Sequence, residues 1–505
     1  MARKILLITT DQQRYDTVGC NGGTLARTPV VDGLAARGVR YERTVPQSVV
    51  CMPSRSTILT GQHVSTHGVW MNGVPLPVDA PSVAEVLRLD GFRTAMIGKA
   101  HFEPYLDPFL RFEENAVSRN GTVPSGGSHR GFEHLELATH SPMGNMHYAK
   151  WIREEHPELL GSFYGVLDPK MQVNAEGGGD TGAPQVKVNT IPREWYHTDW
   201  VADRTISWLD GLGADDDWFC WMSFPDPHHP WDPPASETGR IRWQDVDLPD
   251  GYLGTAAARE RAIDAKPRHW RLWYDGTLVS NYEAPAEWVP ASMTDDQVRE
   301  ITALNAVEIE LIDEAIGRVL AVAGDDVDVI FTTDHGELGG DFGLMFKGPY
   351  HVDGLMRLPL VWRPAGGAPS PSVVTSPVGH VDLAPTLCSI AGLPVPGWME
   401  GSVLPRSDAD AAPERVLTEW DSELFGVDVH LRTITRDGWV CTAYLPGTAH
   451  DGSEGELYSL ADDPLQVENR WSDPSCAAVR SDLLDDLWAS QPAPRSPRLQ
   501  VQAPV

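Results

Sequence analysis

The chain has 505 residues, of which 41% are hydrophobic, and its 46 Gly and 41 Pro are spread along its length. This length exceeds that of a usual single domain and the composition is neither disordered nor fibrous, so we expect one large globular domain with a smaller partner. The 40 Lys and Arg face 71 Asp and Glu, and the formal charge of -31 argues against nucleic acid as a partner.

The first residues contain an apolar run, Ile5 to Ile8, that is too short for the core of a signal peptide or for a membrane span. No later segment is long and apolar enough either, so we expect a cytoplasmic protein with no membrane partner. The six cysteines are scattered without a CxxC pair, which predicts free thiols. The oligomeric state cannot be predicted from these features.

Two buried strands are predicted to end at acidic residues. The run Ile5 to Thr10 ends before Asp11, and the run Asp328 to Thr333 ends before Asp334 and His335. Helical patterns lie between such runs, at 28–37, 82–90 and 294–323. This alternation predicts an α/β fold with a large, mostly parallel sheet flanked by helices. Because ligands bind at the carboxyl ends of the strands in such sheets, Asp11 and Asp334 should share one face.

The predicted domain organisation has two parts. A catalytic domain covers 1–404, and its segment from about 105 to 194 is rich in Gly, Pro, His and aromatic residues with weak periodicity. We expect this segment to be an irregular insertion that shapes a substrate pocket. Residues 405–505 show short β-rich runs, a helical pattern and a Pro-rich tail, which predict a smaller α+β subdomain built on an antiparallel sheet.

A short segment around Cys51 carries a chemical signal. Cys51 and Met52 are followed by Pro53, which suits the first turn of a helix, so residue 51 is predicted to lie at a helix N-terminus. Free backbone N–H groups and the helix dipole favour an anionic group there. One turn further on, Arg55 can add a bidentate contact to a nucleophile or to ester oxygens. Cys51 alone could equally be an ordinary buried thiol.

The two acidic strand ends form a second cluster. Asp11 is followed by Gln12, and Asp334 is followed by His335. Carboxylate, amide and imidazole groups together make a mainly hard site for a divalent cation. Calcium is the first candidate, and manganese is the alternative because the amide and the imidazole reduce the negative charge and add nitrogen. Capping or turn formation is the alternative for either pair alone.

Three further motifs place basic side chains at strand ends or in loops. Gly98 to His101 (GKAH) follows the predicted strand Arg93 to Ile97, and Pro227 to Pro230 (PHHP) follows another apolar run. Lys347 lies in a third segment, Gly343 to Tyr350. For each motif taken alone, a solvated loop Lys or His is the alternative.

Taken together, these segments resemble the formylglycine-dependent sulfatases of the alkaline phosphatase superfamily. Residues 51–55 match the signature Cys-x-Pro-Ser-Arg, residues 98–101 match Gly-Lys-x-His, and His228 aligns with the His of Pro-His-x-Pro. Later segments are similar as well, at 381–387 and 456–458. The resemblance covers nearly the whole chain except 105–194, and it implies an alkaline-phosphatase-like fold.

The resemblance also implies a set of site residues and a modification. The implied cation ligands are Asp11, Gln12, Cys51, Asp334 and His335. The implied catalytic residues are Cys51, Arg55, Lys99, His101, His228 and Lys347. In this family the cysteine is converted to formylglycine by a formylglycine-generating enzyme, and the hydrated aldehyde, a gem-diol, is the nucleophile.

Each basic residue has an implied role. Lys99 holds an ester oxygen, and His101 takes a proton from the formylglycine hydrate. His228 protonates the departing oxygen, with His229 as the second candidate for that role. Lys347 stabilises the negative charge that develops on the same oxygen.

These features predict a sulfuric ester hydrolase that cleaves a small sulfate monoester to an alcohol and sulfate. The nearest alternative is a phosphonate monoester or phosphodiester hydrolase of the same superfamily, which shares the formylglycine and can carry the same metal pairs. Lys99 and His101 favour the sulfate ester, because neutral hydroxylic residues replace them in that subfamily. A catalytically silent protein that binds sulfated ligands is a third hypothesis. The alcohol part can be aryl, alkyl, steroid or sugar.

Overall fold

The structure is a computed structural model that describes residues 2–107, 109–142, 144–163, 177–278, 288–424 and 426–503. Within these residues, the strands are β1 (Lys4–Thr10), β2 (Val39–Tyr41), β3 (Thr44–Val45), β4 (Arg93–Gly98), β5 (His134–Leu137), β6 (Gly177–Gly178), β7 (Ala183–Pro184), β8 (Trp218–Ser223), β9 (Asp328–Thr333), β10 (Leu360–Arg363), β11 (Ser372–Val374), β12 (Val378–Gly379), β13 (Val416–Leu424), β14 (Val427–Arg436), β15 (Trp439–Leu445) and β16 (Gly455–Ser459). The α-helices are α1 (Pro29–Ala35), α2 (Cys51–Thr60), α3 (Val64–His67), α4 (Val83–Leu89), α5 (Glu113–Ala116), α6 (His147–Glu155), α7 (His197–Asp210), α8 (Ala256–Asp264), α9 (Arg268–Tyr274), α10 (Asp295–Ala323), α11 (Asp353–Met356), α12 (Leu383–Ile390) and α13 (Ala477–Ser490). Short 3-10 turns connect many of these elements.

Eight strands form one large sheet in the order β11-β2-β10-β9-β1-β8-β4-β5. At its centre, β1 runs parallel to both β8 and β9, and β4 continues the parallel arrangement to β5. Strand β10 runs antiparallel to both of its neighbours, β9 and β2. The predicted α/β fold with a mostly parallel sheet is therefore confirmed.

The sheet separates two hydrophobic cores because successive side chains of a strand point to opposite faces. Ile5 and Leu7 of β1 belong to one core, and Leu6 and Ile8 belong to the other. Helices α2, α4 and α12 contribute side chains to the first core, whereas α1, α7 and α10 contribute to the second. The longest helix, α10, begins with a capping box in which Thr294 and Gln297 each bond the backbone of the other.

The C-terminal part has its own antiparallel sheet, β13-β14-β15-β16, as the sequence predicted. One face packs against α13 through Ile434, Leu483 and Leu487. On its other side, Leu431 and Tyr444 belong to the same core as the side chains of α2, α4 and α12. The C-terminal sheet is thus joined to the larger part of the chain by a shared core.

The segment 105–194 contains more regular structure than its sequence indicated. Strand β5 adds to the edge of the large sheet, parallel to β4, and its inward residues Leu135 and Leu137 are fully buried. Helices α5 and α6 also belong to this segment, while residues 164–176 lie outside the described residues. A strand of four residues offers only two inward side chains, so its pattern is hard to recognise in a sequence.

Two further features of the fold concern the state of the cysteines and the length and polarity of the helices. All six cysteines are free thiols, as predicted. Among the described residues, we find no helix with both the length and the apolar character that a membrane span requires.

Candidate active site

The site is built at the carboxyl ends of neighbouring parallel strands. In the register of β1 and β9, Thr10 lies opposite Thr333, so Asp11 and Asp334 leave the sheet side by side. Both carboxylates are fully buried, and His335 follows directly and is buried as well. The sequence prediction that the two acidic strand ends share one face agrees with this arrangement.

Cys51 lies at the first residue of α2, and all ten residues of this helix are buried. Its Sγ is 3.2 Å from Nε2 of His335 and 3.8 Å from Oδ1 of Asp11. The next backbone N–H, that of Met52, donates to Oδ1 of Asn72 at 3.0 Å. Burial and the Asp11 carboxylate raise the pKa of the Cys51 thiol to about 12, so the thiol as encoded is protonated at neutral pH. A protonated thiol is a weak nucleophile.

Four side chains converge on one point and can hold a cation. The ligand atoms of Asp11, Cys51, Asp334 and His335 all lie within 4.8 Å of one another. Nδ1 of His335 lies 2.9 Å from the carbonyl oxygen of Gly336, which can only accept, so the proton is on Nδ1 and the lone pair of Nε2 faces the cluster. Burial lowers the pKa of His335, which keeps the ring neutral. Two carboxylates and a neutral imidazole fit a divalent cation that accepts mainly oxygen ligands.

Arg55 binds the two carboxylates from the side opposite the cluster. Its Nε is 2.8 Å from Oδ2 of Asp334 and its Nη2 is 3.0 Å from Oδ2 of Asp11. Its Nη1 donates to the carbonyl of Lys99 at 2.6 Å and to Oγ of Ser223 at 2.9 Å. The guanidinium therefore orients the carboxylates, whereas the sequence analysis expected it to contact the nucleophile or the ester. The other oxygen of each carboxylate, Oδ1, faces the cluster of possible cation ligands.

Gln12 lies beside this cluster with a left-handed backbone, φ 62°. Its N–H donates to Oδ1 of Asp334 at 3.1 Å, while its side-chain oxygen accepts from Nζ of Lys347 at 2.6 Å. The amide nitrogen contacts the buried carboxylate of Glu337 and lies 3.2 Å from Nδ1 of His229. In this structure the Gln12 side chain thus connects Lys347 to Glu337, a residue that the sequence analysis did not select.

Lys99 follows strand β4, and its side chain reaches the carboxylate of Asp11. Gly98 before it has φ 100°, and an added Cβ would lie 1.8 Å from the carbonyl oxygen of Ser223, so only glycine fits there. The N–H of Lys99 donates to that carbonyl at 2.9 Å, and its Nζ is 2.5 Å from Oδ2 of Asp11. Burial opposes the ionisation of Asp11, but Lys99 and Arg55 outweigh it and hold the pKa of Asp11 well below its usual range.

His101 lies two residues further on, in a left-handed backbone conformation with φ 58°. Its ring is buried, makes an edge contact with Tyr105, and has no hydrogen-bond partner for either nitrogen among the described residues. Burial and the neighbouring Lys99 hold the pKa of His101 well below its usual range. A neutral imidazole with unpaired nitrogens can accept a proton from a group at position 51 or from a substrate.

Lys347 and His228 form a hydrogen-bonded pair on the other side of the site. Nζ of Lys347 is 2.9 Å from Nε2 of His228, and Nδ1 of His228 contacts the carbonyl oxygen of His229. Burial, His229 and Lys347 hold the pKa of His228 well below its usual range, so the ring is neutral and its Nε2 accepts from Lys347. The structure thus brings the two predicted residues, Lys347 and His228, into contact with each other. His229, the second candidate, contacts Gln12.

His140 is a residue of this site that the sequence analysis missed. Its Nε2 is 3.0 Å from Nζ of Lys99, and its ring stacks on that of His228 with centroids 4.0 Å apart. It comes from the segment 105–194 and follows the edge strand β5, which ends at Leu137. A short alternating run followed by a polar residue was a weak signal, and only its pairing with β4 brings His140 to the site.

Comparisons with known proteins cover almost the whole chain. The family model described as Sulfatase matches residues 3–393, a range that includes every site residue named above. An uncharacterised sulfatase of Escherichia coli K12, YidJ, is 24% identical over 492 residues, covering 95% of this chain and 86% of that protein. An arylsulfatase of Clostridium perfringens is 26% identical over 490 residues, covering 93% and 90% of the two proteins. The solved structure of a phosphonate monoester hydrolase of Agrobacterium radiobacter superposes with a TM-score of 0.75 at 24% identity, covering 96% of this chain and 95% of that one.

Proposed function

The chain belongs to the sulfatase family of the alkaline phosphatase superfamily, and from this we propose that it hydrolyses the sulfate monoester of a small alcohol or phenol. We propose further that its nucleophile is the hydrate of a formylglycine, made from Cys51 by a formylglycine-generating enzyme. One observation carries the proposal: Sγ of Cys51, at the buried start of α2, lies 3.2 Å from His335 and 3.8 Å from Asp11 within the cation cluster.

The cation cluster supports this chemistry. Asp11, Asp334 and His335 would hold a divalent cation beside position 51, with Ca2+ as the first candidate and Mn2+ as the second. Such a cation, when bound, supplies Lewis acidity and positive charge at the reacting oxygens. Arg55 keeps the two carboxylates in place through their outer oxygens.

The first half of the reaction transfers the sulfuryl group to an oxygen at position 51. Lys99 and Lys347 both act electrostatically on this position, so their ammonium groups can stabilise the sulfuryl oxygens and the departing oxygen. The ester S–O bond breaks as the new S–O bond forms, so the attacking hydroxyl at position 51 gives up a proton and the departing oxygen gains one. Because the neutral His228 ring carries its own proton on Nδ1, the proton for the departing oxygen comes from Nζ of Lys347, which passes it to Nε2 of His228 and on to that oxygen. The proton given up by the hydroxyl restores the Lys347 ammonium.

The second half releases sulfate. His101 takes a proton from the remaining hydroxyl at position 51, the C–O bond to the sulfate breaks, and the aldehyde forms again. Water then restores the hydrate. A serine or an unconverted cysteine at position 51 lacks the second hydroxyl that this release requires.

A phosphonate monoester or phosphodiester hydrolase is the second candidate function. The superposition on the phosphonate monoester hydrolase of Agrobacterium radiobacter favours it at the level of the fold, and the Asp11–Gln12 and Asp334–His335 pairs are compatible with it. Lys99 and His101 favour the sulfate ester, because one offers a positive charge and the other a base where that subfamily carries hydroxylic residues.

Paired substrates test the proposal. The wild-type protein and a Cys51→Ser variant, both made in a host with a formylglycine-generating enzyme, are assayed with an aryl sulfate and an aryl phosphonate that share one phenol. We expect a higher kcat/KM for the sulfate and loss of turnover in the variant. A strong preference for the phosphonate would establish the second candidate, and an intact mass without the loss expected for conversion of Cys51 would refute the formylglycine.

A further inference from the structure

The loop that carries Lys347 is anchored by contacts that lead to the C-terminal part of the chain. This loop, residues 344–352, lies in the chain between β9 and helix α11, and the side chain of Lys347 reaches from it into the active site. Only Gly348 separates Lys347 from Pro349. The ring of Pro349 fixes its own φ and restricts the residue before it, and Tyr350 packs so closely on Gly348 that an added Cβ would lie 2.6 Å from its ring, so the chain between Lys347 and Pro349 has little freedom. A displacement of Pro349 is therefore passed on to Lys347.

A chain of two imidazoles fixes the position of Pro349. Nε2 of His269 lies 2.9 Å from the carbonyl oxygen of Pro349, which can only accept, so the proton of His269 is on Nε2. Burial and the neighbouring His450 hold the pKa of His269 well below its usual range, so the ring is neutral and its Nδ1 must accept. The donor is Nε2 of His450, 3.1 Å away, whose other nitrogen faces Oε1 of Glu454 at 3.3 Å.

Both imidazoles are buried, and they belong to different parts of the chain. His269 lies on α9 of the catalytic domain and is fully buried, whereas His450 lies between β15 and β16 of the C-terminal sheet and is 4% exposed. Tyr444 of β15 packs against both rings, with centroid distances of 5.4 and 4.6 Å. Without His450, Nδ1 of His269 would be left buried and unpaired, which is an unfavourable state for a polar atom.

A second contact ties the same loop to the same sheet. Nδ1 of His351 is 2.6 Å from Oγ1 of Thr433 on β14, which in turn pairs with Thr442 on β15 at 2.8 Å. Between the two anchors, Tyr350 stacks on His269 with centroids 5.6 Å apart. The loop is therefore attached to the C-terminal sheet on both sides of Tyr350.

We propose that His450 is a positioning residue for Lys347: acting through His269 and the carbonyl group of Pro349, the C-terminal sheet sets where the Lys347 ammonium lies in the active site. This inference rests on the role of Lys347 in the proposed function, the stabilisation of charge on the departing oxygen. It gives the C-terminal part of the chain a task in catalysis, beyond its contribution to the core.

The test compares three variants over a series of substituted phenyl sulfates. His450→Leu removes the donor to His269, and His450→Gln restores a donor at a similar reach. His430→Leu is the matched control, because His430 lies on the same sheet and its ring bonds Asp421 at 2.6 Å. Since misplacement of a catalytic group can cost about 10²-fold in rate, we expect His450→Leu to lower kcat/KM about 10-fold or more for weakly acidic phenols and about 2-fold for strongly acidic ones.

This dependence on the leaving group separates positioning from general damage. A merely structural role would lower kcat/KM by the same factor across the series, and that result would overturn the proposal. We expect His450→Gln to recover most of the loss, and His430→Leu to leave the slope against the pKa of the phenol unchanged.

Hydrogen exchange gives a readout that does not need turnover. In His450→Leu, the amides of 344–352 should exchange faster than in the wild type, whereas in His430→Leu they should not. If the wild type hydrolyses neither the aryl sulfate nor the aryl phosphonate, the proposed function fails. Hydrogen exchange then still decides whether His450 holds the loop. Unchanged exchange over 344–352 in His450→Leu would refute the inference whatever the activity.

Discussion

Replacing Arg55 should destabilise the protein more than any other single change at the site. Its guanidinium is fully buried and bonds one oxygen of Asp11 and one of Asp334, as well as the Lys99 carbonyl and the Ser223 hydroxyl. In Arg55→Leu both carboxylates lose this partner in a buried setting, and removing one member of a buried ion pair costs about 3–5 kcal/mol. Arg55→Lys keeps one charge but cannot span both carboxylates, so we expect it to cost about half as much.

The expected shift in melting temperature follows from the size of the chain. At about 2.1 cal/mol/K per residue, unfolding of 505 residues as one unit has an entropy of about 1 kcal/mol/K, so about 3–5 kcal/mol corresponds to about 3–5 °C. Calorimetry of chelator-treated protein measures this shift. The control is Arg37→Leu, whose guanidinium is half exposed and pairs with the exposed Asp325, so it should change the melting temperature by about 1 °C or less. An equally small shift in Arg55→Leu would refute the reasoning.

Four other outcomes are expected. Lys347→Met should lower kcat about 10²–10³-fold, as measured with an aryl sulfate, because a donor aimed at developing charge is lost; a loss confined to KM would contradict this. His140→Ala should lower kcat/KM about 10-fold, because the hydrogen bond between His140 and Lys99 is lost. The control is His134→Ala, on the strand that leads to His140, which should not lower it. Equal losses in the two variants would count against a role for His140. Removal of divalent cations by a chelator should abolish turnover, and Ca2+ or Mn2+ should restore it in a titration; full activity of protein shown to be metal-free would exclude the cation. The pKa of Asp11 is depressed in the folded state, so its contribution to stability is present above its unfolded pKa and is lost as pH falls through the folded value. In a plot of melting temperature against pH, Asp11→Asn should therefore flatten the acid side. An unchanged acid side would contradict the depressed pKa.

The backbone of the site could be predicted from the sequence because its signals are local. The runs that form β1 and β9 end at Asp11 and Asp334, and the structure has the same strand ends within a residue. Pro53 correctly placed Cys51 in the first turn of a helix. Each of these inferences needed only a few neighbouring residues, together with the rule that parallel strands present their carboxyl ends on one side.

The partners of the side chains could not be predicted in the same way. Arg55 lies one turn after Cys51, which suggested a contact with the nucleophile, yet its partners are carboxylates 44 and 279 positions away in the chain. His140 was missed for a similar reason, because a four-residue strand gives a weak pattern and its neighbour β4 ends 36 residues before β5 begins. Long-range pairing decides both contacts, and a single sequence does not contain it in readable form.

The left-handed backbone at Gln12 and His101 has a consequence for attempts to engineer this protein. A residue with a side chain in this conformation costs about 1–2 kcal/mol relative to the right-handed one, and glycine escapes most of that cost. Directed evolution for heat resistance alone would therefore favour glycine at these two positions, and would discard the amide oxygen that accepts from Lys347 and the His101 imidazole that the proposed mechanism uses as a base. A thermostability library for this protein should hold positions 12 and 101 fixed, or be selected for turnover in the same round.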